Sequence, residues 1–255
     1  MIQTNSNIAI VGSGNIAQFF AEYWFNKQHN IQFILSRNKE EGNALATKVN
    51  ALYSHDLNQN FNGIDLILIA VSDNNIVQVI EQLNLLDTIV CHTSGSTSIS
   101  VLFKFKNNAV IYPLQSISKN KTLNYHQVPI LLESSDLTTK GVISHLLTDF
   151  SIKEIDSDER LKYHLAAVFT NNFTNAMWLM IELWCKEKNL DFGLLNSLIK
   201  ETTDKMLELG TANSQTGPAK RHDTVTMNKH VDLLLEHKEL QQLYVLFSKF
   251  IESKY

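Results

Sequence analysis

The segment NIAIVGSGNIAQFF, residues 7–20, constrains the fold more than any other part of the chain. An apolar run from Ile8 to Val11 ends at Gly12, Gly14 follows, and Ala17 completes the pattern G-x-G-x-x-A at the start of a helical pattern. In this setting the first glycine permits a tight turn, the second lets a ligand approach the backbone, and the small third residue lets the helix pack on its strand. The segment predicts a dinucleotide-binding turn; the alternative is an ordinary glycine turn in a sheet protein.

Apolar runs alternate with helical patterns up to Asp156. Helical patterns are centred near Ala21, Ala46, Val79 and Leu146, and they lie between short runs with the length of strands. This alternation is typical of βαβ units and of a mostly parallel sheet. The predicted strands are NIAIV, IQFIL, DLILIAV, TIVCHT, NAVIYP and VPILLE.

After Asp156 the chain has a helical period only. Apolar residues recur at three and four from Asp158 to about Lys188, which predicts one long helix. Further helices are predicted over 192–209 and 225–250, the second broken near Glu236, with the loop GTANSQTGP between them. We therefore predict an α/β fold: a Rossmann-like doubly wound parallel sheet in residues 1–156, which holds the dinucleotide-binding turn, and an all-α domain in residues 157–255.

Composition limits the class of ligand. The 255 residues are 44% hydrophobic, enough for a sizeable core, and the formal net charge is −4. This balance gives no reason to expect nucleic acid or an anionic membrane as partner and favours a small molecule. The start MIQTNSN lacks the features of a signal peptide, and Cys91 and Cys185 stand in apolar runs as reduced thiols would. We expect a cytoplasmic protein that does not span a membrane.

The end of the second predicted strand, in QFILSRNKE, indicates which dinucleotide binds. An acidic residue there usually meets a free ribose 2′-hydroxyl, whereas arginine meets a 2′-phosphate. Ser36 and Arg37 supply a hydroxyl and a guanidinium, and Glu40 and Glu41 fit the first turn of the next helix. The sequence predicts NADP(H) rather than NAD(H), with Arg37 as a solvated surface cation as the alternative. The pyrophosphate would lie on the turn and the first helical N–H groups, formed by Gly12, Ser13, Gly14, Asn15 and Ile16.

Two further strand ends are candidates for the other half of the dinucleotide. Ligands of open α/β sheets lie outside the carboxyl ends of the strands. IAVSDNN places Val71 and Ser72 at one such end, although Ser72 and Asp73 could instead cap the next helix. CHTSGS places residues at the next end, where His92 is expected to pack within the strand. The cofactor-binding candidates there are Thr93, Ser94 and Gly95.

Several segments together resemble a known family. IAIVGSGNIA, AVSDNNI, HTSGS, YPLQSIS, YHLAAVFTNN and TGPAKRHDTVTMNKHVDLL are similar to NADP oxidoreductases that join a Rossmann-like domain to a helical domain of unknown function, within the 6-phosphogluconate dehydrogenase-like superfamily. The resemblance implies a homodimer formed largely through the helical domain, so residues 157–255 are predicted as the substrate and dimerisation domain and residues 1–156 as the NADP-binding domain. Gln115, in YPLQSIS, is a predicted substrate-binding residue. Pyrroline-5-carboxylate and ketopantoate reductases belong to the same superfamily. The Lys-x-x-x-Asn of its hydroxyacid dehydrogenases has no match in the long helix.

The long helix carries polar residues in its apolar pattern instead. At 100° per residue His164, Asn171 and Asn175 point nearly the same way, with Asn172 about 80° from His164. His164 has the chemistry of a general acid near neutral pH, and Asn172, which matches the family's asparagine better than Asn171, could orient a substrate carbonyl. The alternative is a hydrogen-bonded core histidine with asparagines at an interdomain contact.

TGPAKRHD is the second candidate patch. Arg221 stands close before a helix predicted to begin near Asp223 or Thr224, and its guanidinium could clamp a substrate carboxylate. Arg221 could equally be a surface charge. His222, Asp223 and His230 lack a third well-spaced ligand, so no metal is predicted.

The sequence as a whole predicts an NADP(H)-dependent reductase of a small, anionic carbonyl or imine compound, acting in a cleft between the two domains. His164 and Asn172 are the predicted catalytic residues, and Gln115, Asn175 and Arg221 the predicted substrate-binding residues. Two alternatives stay open. One is a specific ketopantoate reductase, and the other is an NADP-binding regulator or scaffold without turnover, which the missing lysine permits.

Overall fold

The computed structural model describes residues 5–84, 87–119 and 123–255. The chain forms two compact units, which divide between Asn172 and Phe173. The last strand ends at Glu154, beside the predicted change of pattern at Asp156. The units divide later than that because the helix that follows is bonded to the sheet through Arg160, as shown below.

The first unit is built on one eight-stranded sheet in the order β3-β2-β1-β4-β5-β6-β7-β8. All neighbouring strands are parallel except β6 and β7, so the prediction of a mostly parallel sheet is confirmed. The six predicted strands are present, and β3 and β8 are additional. The strands are β1 Asn7–Val11, β2 Asn30–Leu35, β3 Leu52–Ser54, β4 Leu66–Ile69, β5 Ile89–His92, β6 Asn108–Pro113, β7 Pro129–Ser134 and β8 Ser151–Glu154.

Helices cover both faces of the sheet, as in a doubly wound fold. One core cluster contains Phe20 and Trp24 with Ile143, and the other contains Ile76, Ile80 and Leu102. The predicted helix centred near Leu146 is wrong in position, because it ends there to let β8 begin. The helices are α1 Asn15–Asn26, α2 Lys39–Lys48, α3 Asp73–Gln82, α4 Leu137–Leu146 and α5 Ser157–Ala167, with 3₁₀ turns at Ile99–Leu102 and Tyr125–Gln127.

The direction of winding reverses between β1 and β4. The chain proceeds outward from β1 to β2 and β3, then returns to β4 on the other side of β1. Such a switch point leaves a crevice at the carboxyl ends of the strands, where open α/β sheets bind ligands. The turn after β1, with its two glycines, lies at this position.

The second unit is helical throughout. The predicted long helix is present; it begins in the first unit as α5, continues through a π-helix, Val168–Phe173, and ends in the second unit as α6. The predicted break near Glu236 is confirmed, and the predicted loop at 210–218 contains a short helix, α8. The remaining elements are α6 Thr174–Glu187, α7 Asn196–Leu209, α8 Thr211–Ser214, α9 Thr224–Leu233 and α10 Lys238–Glu252, with 3₁₀ turns at Phe192–Leu195 and Ala219–Arg221.

Membrane-spanning segments were sought along the part of the chain that the structure describes. None of its helices combines the length and the apolar character that crossing a bilayer requires.

Candidate functional site

Gly12 is required by the fold of the turn itself. Its φ is 130°, a region that residues with a side chain rarely adopt, and its N–H donates to the carbonyl of Leu35 at 2.8 Å. A Cβ at this position would collide with the backbone carbonyl of Ala70. The tight turn after β1 therefore needs glycine for its backbone conformation and for its close contact with Ala70, the residue that follows β4.

Gly14 has no comparable requirement within the described chain. Its φ of −75° is accessible to any residue, and a Cβ built there would meet no atom within 4 Å. It is the N-cap of α1, and no acidic residue occupies the first turn of that helix. The free N–H groups of a helix start attract an anion, and the absence of a side chain leaves room for one to approach. The position fits the pyrophosphate of a dinucleotide.

A cavity of about 500 Å³ opens beside this turn. It lies at the carboxyl ends of β1, β2 and β4 and along α3, and its volume is within the usual range for ligand sites. Seven of the predicted cofactor-binding residues line it: Gly12, Ser13, Gly14, Ser36, Arg37, Val71 and Ser72. The sequence analysis missed further lining residues, notably His55, Leu57, Asn75, Gln78 and Gln82.

Ser36 and Arg37 follow β2 at the rim of this cavity. The hydroxyl groups of Ser13 and Ser36 are 2.8 Å apart, and Tyr53 donates to the Ser36 carbonyl at 3.0 Å, which fixes the strand end. Asn38 caps α2, with Glu40 and Glu41 in its first turn as predicted. The guanidinium of Arg37 has no hydrogen bond or ion pair with any residue of the described segments. Its donors are available for a phosphate.

The other cofactor candidates lie outside this cavity. Asn15 donates from its side chain to the Ile117 carbonyl at 2.9 Å, and Ile16 packs against the core. Ser94 is buried, and its hydroxyl accepts from the backbone N–H groups of Ser96 and Thr97. Thr93 and Gly95 stand with Ser94 in the turn after β5, at the same edge of the sheet. Direct contact of these five residues with a cofactor stays a prediction.

A second cavity, of about 440 Å³, lies at the end of β6 and along α5 and the π-helix. It brings together Gln115, His164 and Asn172, three of the predicted substrate-end residues, with Asn171. It also contains Tyr112, which the sequence analysis did not single out. The Tyr112 hydroxyl is 3.0 Å from His164 Nδ1, and the two rings meet edge to face at 78°.

Gly95, in the turn after β5, lies against two residues of this second cavity, His164 and Tyr112. A Cβ on Gly95 would stand 2.6 Å from His164 Nδ1 and 2.9 Å from Tyr112 Cζ. The backbone therefore packs directly against the tyrosine–histidine pair, and no side chain fits between them. Burial raises the pKa of Tyr112 above its ordinary value, and the negative charge of Asp73 adds to the effect. The Tyr112 hydroxyl consequently stays protonated at neutral pH.

The π-helix changes which polar residues of the long helix share a direction. A π-turn contains one residue more than an α-turn, so it shifts the phase of every later side chain. Asn171 and Asn172 line the second cavity with His164, but Asn175 is not among the described residues that line it. The angle of 100° per residue, on which the predicted alignment of His164 with Asn175 depends, does not hold through this π-helix. A substrate contact of Asn175 stays a prediction.

A buried ion pair attaches α5 to the sheet. Arg160 is fully buried; it pairs with Glu133 on β7 and donates to the Thr97 carbonyl at 2.6 Å. Ser157 donates to the same carboxylate at 2.8 Å. Arg160 is one helical turn before His164, so these bonds hold the helix surface that carries His164. His92, as expected, is buried within β5, and burial lowers its pKa to about 4.

Arg221 is in the second unit, exposed, at the end of the 3₁₀ turn Ala219–Arg221. The predicted start of the next helix is confirmed: Asp223 caps α9 by accepting from the Thr226 N–H at 3.0 Å. His230 is bonded through Nδ1 to the Tyr244 hydroxyl at 2.8 Å, in agreement with a packing role. Over the described residues, no group of three or more His, Cys, Asp or Glu side chains could hold a metal ion.

Two family models match the chain. One, described as NADP oxidoreductase coenzyme F420-dependent, matches residues 7–94. The other, described as a domain of unknown function (DUF2520), matches residues 128–251. A comparison with curated proteins finds no match.

Solved structures resemble the chain over nearly its whole length. A "putative NADP oxidoreductase" from Bacteroides fragilis is 30% identical, with a TM-score of 0.88 over 98% of this chain and 99% of that one. A protein from Thermotoga maritima is 25% identical, with a TM-score of 0.76 over 97% of both chains. A reductive aminase from Aspergillus terreus, in complex with NADPH and ethyl-5-oxohexanoate, is 15% identical, with a TM-score of 0.71 over 98% of this chain and 93% of that one. The last similarity concerns the fold alone.

Proposed function

The chain belongs to the NADP oxidoreductase family that joins an NADP oxidoreductase domain to the DUF2520 domain, and from this premise we propose that it reduces a small, anionic carbonyl or imine compound with NADPH. The observation that carries the proposal is Gly14. The described chain gives no steric or conformational reason for glycine there, whereas an approaching pyrophosphate does.

The first cavity has the residues that an NADP site needs. Gly14 and the start of α1 would hold the pyrophosphate, and Ser36 and Arg37 the 2′-phosphate. When bound, the nicotinamide supplies a hydride. The protein's own contribution is to hold and orient the ligand and to place a proton donor at the substrate.

The turn after β5 connects the cofactor end with the proposed substrate end. In the order of the sheet, β5 lies between β4, whose end lines the first cavity, and β6, whose end lines the second. Gly95 in this turn packs directly against His164 and Tyr112. This arrangement supports a proposal in which the reacting group of the cofactor lies between the two cavities, where a substrate bound in the second cavity can meet it.

Three side chains of the second cavity have complementary roles in the proposal. His164 supplies the proton that the reduced oxygen or nitrogen needs, because an imidazolium is an effective acid near neutral pH. Asn172 orients the carbonyl or imine group. The side-chain oxygen Oε1 of Gln115 accepts from the Ser116 N–H at 2.8 Å. The side-chain NH₂ group of Gln115 is left to donate to a substrate.

The anionic character of the substrate is proposed from Arg221. A guanidinium can bind a carboxylate with two parallel hydrogen bonds, which a lysine ammonium cannot reproduce. Asn175 is proposed as a further polar contact of the substrate. For both Arg221 and Asn175, the proposed contact with the substrate rests on the hydrogen-bonding groups of the side chain.

We further propose that the protein is cytoplasmic and forms a homodimer through its helical unit. Cys91 and Cys185 are both free and buried, which agrees with a reducing compartment. Within Phe173–Tyr255, all of which the structure describes, only Cys185 and Ala219 are buried. A unit with so small a core gains stability if its exposed apolar side chains pack against a second copy.

Binding of NADPH to a Gly14→Ala variant tests the cofactor site. The variant should fold as the wild type does, because its Cβ meets no protein atom, but its NADPH affinity should fall at least about tenfold, since the methyl group occupies the space of the pyrophosphate. Gly141→Ala is the matched control: a Cβ there also meets no atom within 4 Å, and α4 lies away from both cavities. Equal affinities of wild type and Gly14→Ala, measured by nucleotide fluorescence, would contradict the site.

Turnover separates the proposed enzyme from its alternatives. NADPH oxidation is measured with a panel of short-chain 2-oxo acids, ketopantoate and cyclic imino acids. Activity on several of them supports a general reductase, and activity confined to ketopantoate identifies the specific enzyme. A binding isotherm for NADPH with no turnover on any of them would favour the regulator.

A further inference from the structure

Tyr112 and His164 form a close pair from distant parts of the sequence. Tyr112 is near the end of β6, and His164 is on α5. The hydroxyl–Nδ1 distance of 3.0 Å is that of a hydrogen bond, and both side chains line the second cavity. The pair places a phenol and an imidazole, two groups that can donate and accept a proton, in hydrogen-bond contact.

The direction of this hydrogen bond depends on where the imidazole hydrogens are. Burial keeps the phenol protonated at neutral pH, so its O–H can donate to Nδ1 when the imidazole is neutral and carries its hydrogen on Nε2. When the imidazole is protonated, Nδ1–H donates to the Tyr112 oxygen instead. The phenolic hydrogen is then free to bond a third group in the cavity.

We infer that Tyr112 is a catalytic residue, which passes a proton from His164 to the substrate. This inference rests on the proposed function and specifies the path of the proton. Hydride addition leaves an electron pair on the substrate oxygen or nitrogen. That atom takes the Tyr112 hydrogen as the phenolic O–H bond breaks, and the Tyr112 oxygen takes the hydrogen from Nδ1 as the N–H bond breaks. The imidazolium becomes neutral, the substrate gains one proton, and Tyr112 is unchanged.

In the proposed relay, the hydrogen bond from the Tyr112 O–H to Nδ1 is the end state of this transfer. After the two proton movements, Tyr112 carries the hydrogen that came from Nδ1 and donates it back to the same nitrogen. Proton uptake by the pair from water, by the reverse path, restores the imidazolium. Gly95 packs against the pair at Nδ1 and at Tyr112 Cζ, so the two groups are held together from the side of β5 while the cavity stays open to a substrate.

Kinetics of Tyr112→Phe test the relay with whichever 2-oxo acid or cyclic imine the wild type reduces fastest. Phenylalanine keeps the ring and removes the proton donor, so turnover should fall by about 10²–10⁴-fold, as for loss of one positioned acid. The turnover of His164→Asn should fall by a similar factor. The turnover of the double variant should be no lower than that of the slower single variant, because both residues serve one proton transfer. NADPH affinity should be unchanged in all three.

Tyr244→Phe is the matched control. It removes the same kind of hydrogen bond, 2.8 Å from a hydroxyl to His230 Nδ1, in the second unit. Turnover within about threefold of the wild type is expected, since His230 and Tyr244 do not line either cavity of the first unit. A similar loss of rate in Tyr112→Phe and Tyr244→Phe would attribute the effect to stability and overturn the inference.

A second measurement does not depend on activity. In ¹⁵N-histidine NMR of the unliganded protein, neutral His164 should show its hydrogen on Nε2, and Tyr112→Phe should shift the Nδ1 resonance. A neutral His164 with its hydrogen on Nδ1 overturns the relay. Turnover by the wild type with an undiminished Tyr112→Phe rate contradicts the relay alone, whereas a wild type that reduces none of the compounds contradicts the proposed function itself.

Discussion

Arg37 is the side chain on which the choice of nucleotide depends. Its guanidinium is free of partners among the described residues and lines the first cavity beside Ser36. Arg37→Ala should weaken NADPH binding by about 1.5–3 kcal/mol, the range for hydrogen bonds to charged groups, and should leave NADH binding nearly unchanged. Titration calorimetry with both nucleotides measures the difference.

The control for Arg37 is Lys39→Ala. Lys39 is an exposed cation at the start of α2 and is not among the residues that line the cavity. It reports the effect of net charge alone, which should be small at physiological salt. Equal losses of affinity for NADPH and NADH in Arg37→Ala would show that Arg37 does not bind the 2′-phosphate and is a solvated surface cation.

Gly95 tests whether the tyrosine–histidine pair must stay where the structure has it. In Gly95→Ala the methyl group would stand 2.6 Å from Nδ1 of His164, so one side chain must move. Displacement by about 1 Å can cost about 10²-fold in rate, and we expect a loss of this order in turnover. Stopped-flow measurement of NADPH oxidation gives the rate, and Gly141→Ala should show no loss. Full activity of Gly95→Ala would show that the pair is not required in this position.

Individual site residues were predictable where the signal is local. Gly12 and Gly14 belong to one short motif after the first apolar run, and Ser36 and Arg37 directly follow the second apolar run. Tyr112 was not predictable, because its contact with His164 depends on β6 lying beside β5 in the sheet. The burial that raises its pKa comes from the same tertiary packing.

The ion pair between α5 and β7 holds an element rather than a single side chain. Arg160 is fully buried, and Glu133 is its only carboxylate partner in the described chain. Glu133→Gln keeps the shape of the side chain but leaves a buried guanidinium without a counter-charge. The free energy of unfolding should fall by about 3–5 kcal/mol in urea denaturation, as for other broken buried pairs.

A surface pair provides the comparison for Glu133. Glu154 on β8 pairs with Lys140 on α4, and its side chain is 62% exposed. Glu154→Gln should cost at most about 1 kcal/mol, because exposed ion pairs contribute little. If Glu133→Gln costs no more than Glu154→Gln, the helix is held by its other contacts and the ion pair is not the attachment.

Elements were predictable in proportion to their apolar content. The buried runs of β1, β4 and β5 are continuous and apolar, so their strands were evident. β3 and β8 are short, partly exposed edge strands, with no apolar run to mark them. The π-helix at 168–173 was missed because its apolar spacing does not differ from that of an α-helix until side chains are placed.

Exposed apolar side chains of the second unit are the basis of the proposed homodimer. In the second unit Leu194, Leu207, Leu246 and Phe250 are 77%, 74%, 61% and 60% exposed. Leu246 and Phe250 are one turn apart on α10 and therefore share a side of that helix. Apolar side chains grouped in this way favour a protein contact over water.

Assembly as a homodimer through α10 can be tested by placing charge on that surface. Leu246→Glu with Phe250→Glu should convert a particle of twice 29.0 kDa into a monomer in light scattering, because burying two carboxylates in an apolar contact is unfavourable. Phe103→Glu with Leu137→Glu is the control: these residues are 68% and 80% exposed in the first unit, and the dimer should persist. Since folding is then coupled to association, the melting temperature of the wild type should also rise with protein concentration, and that of the α10 variant should not. A wild type that is monomeric at tens of micromolar, or an α10 variant that stays dimeric, would show that the apolar surface of α10 does not form the interface.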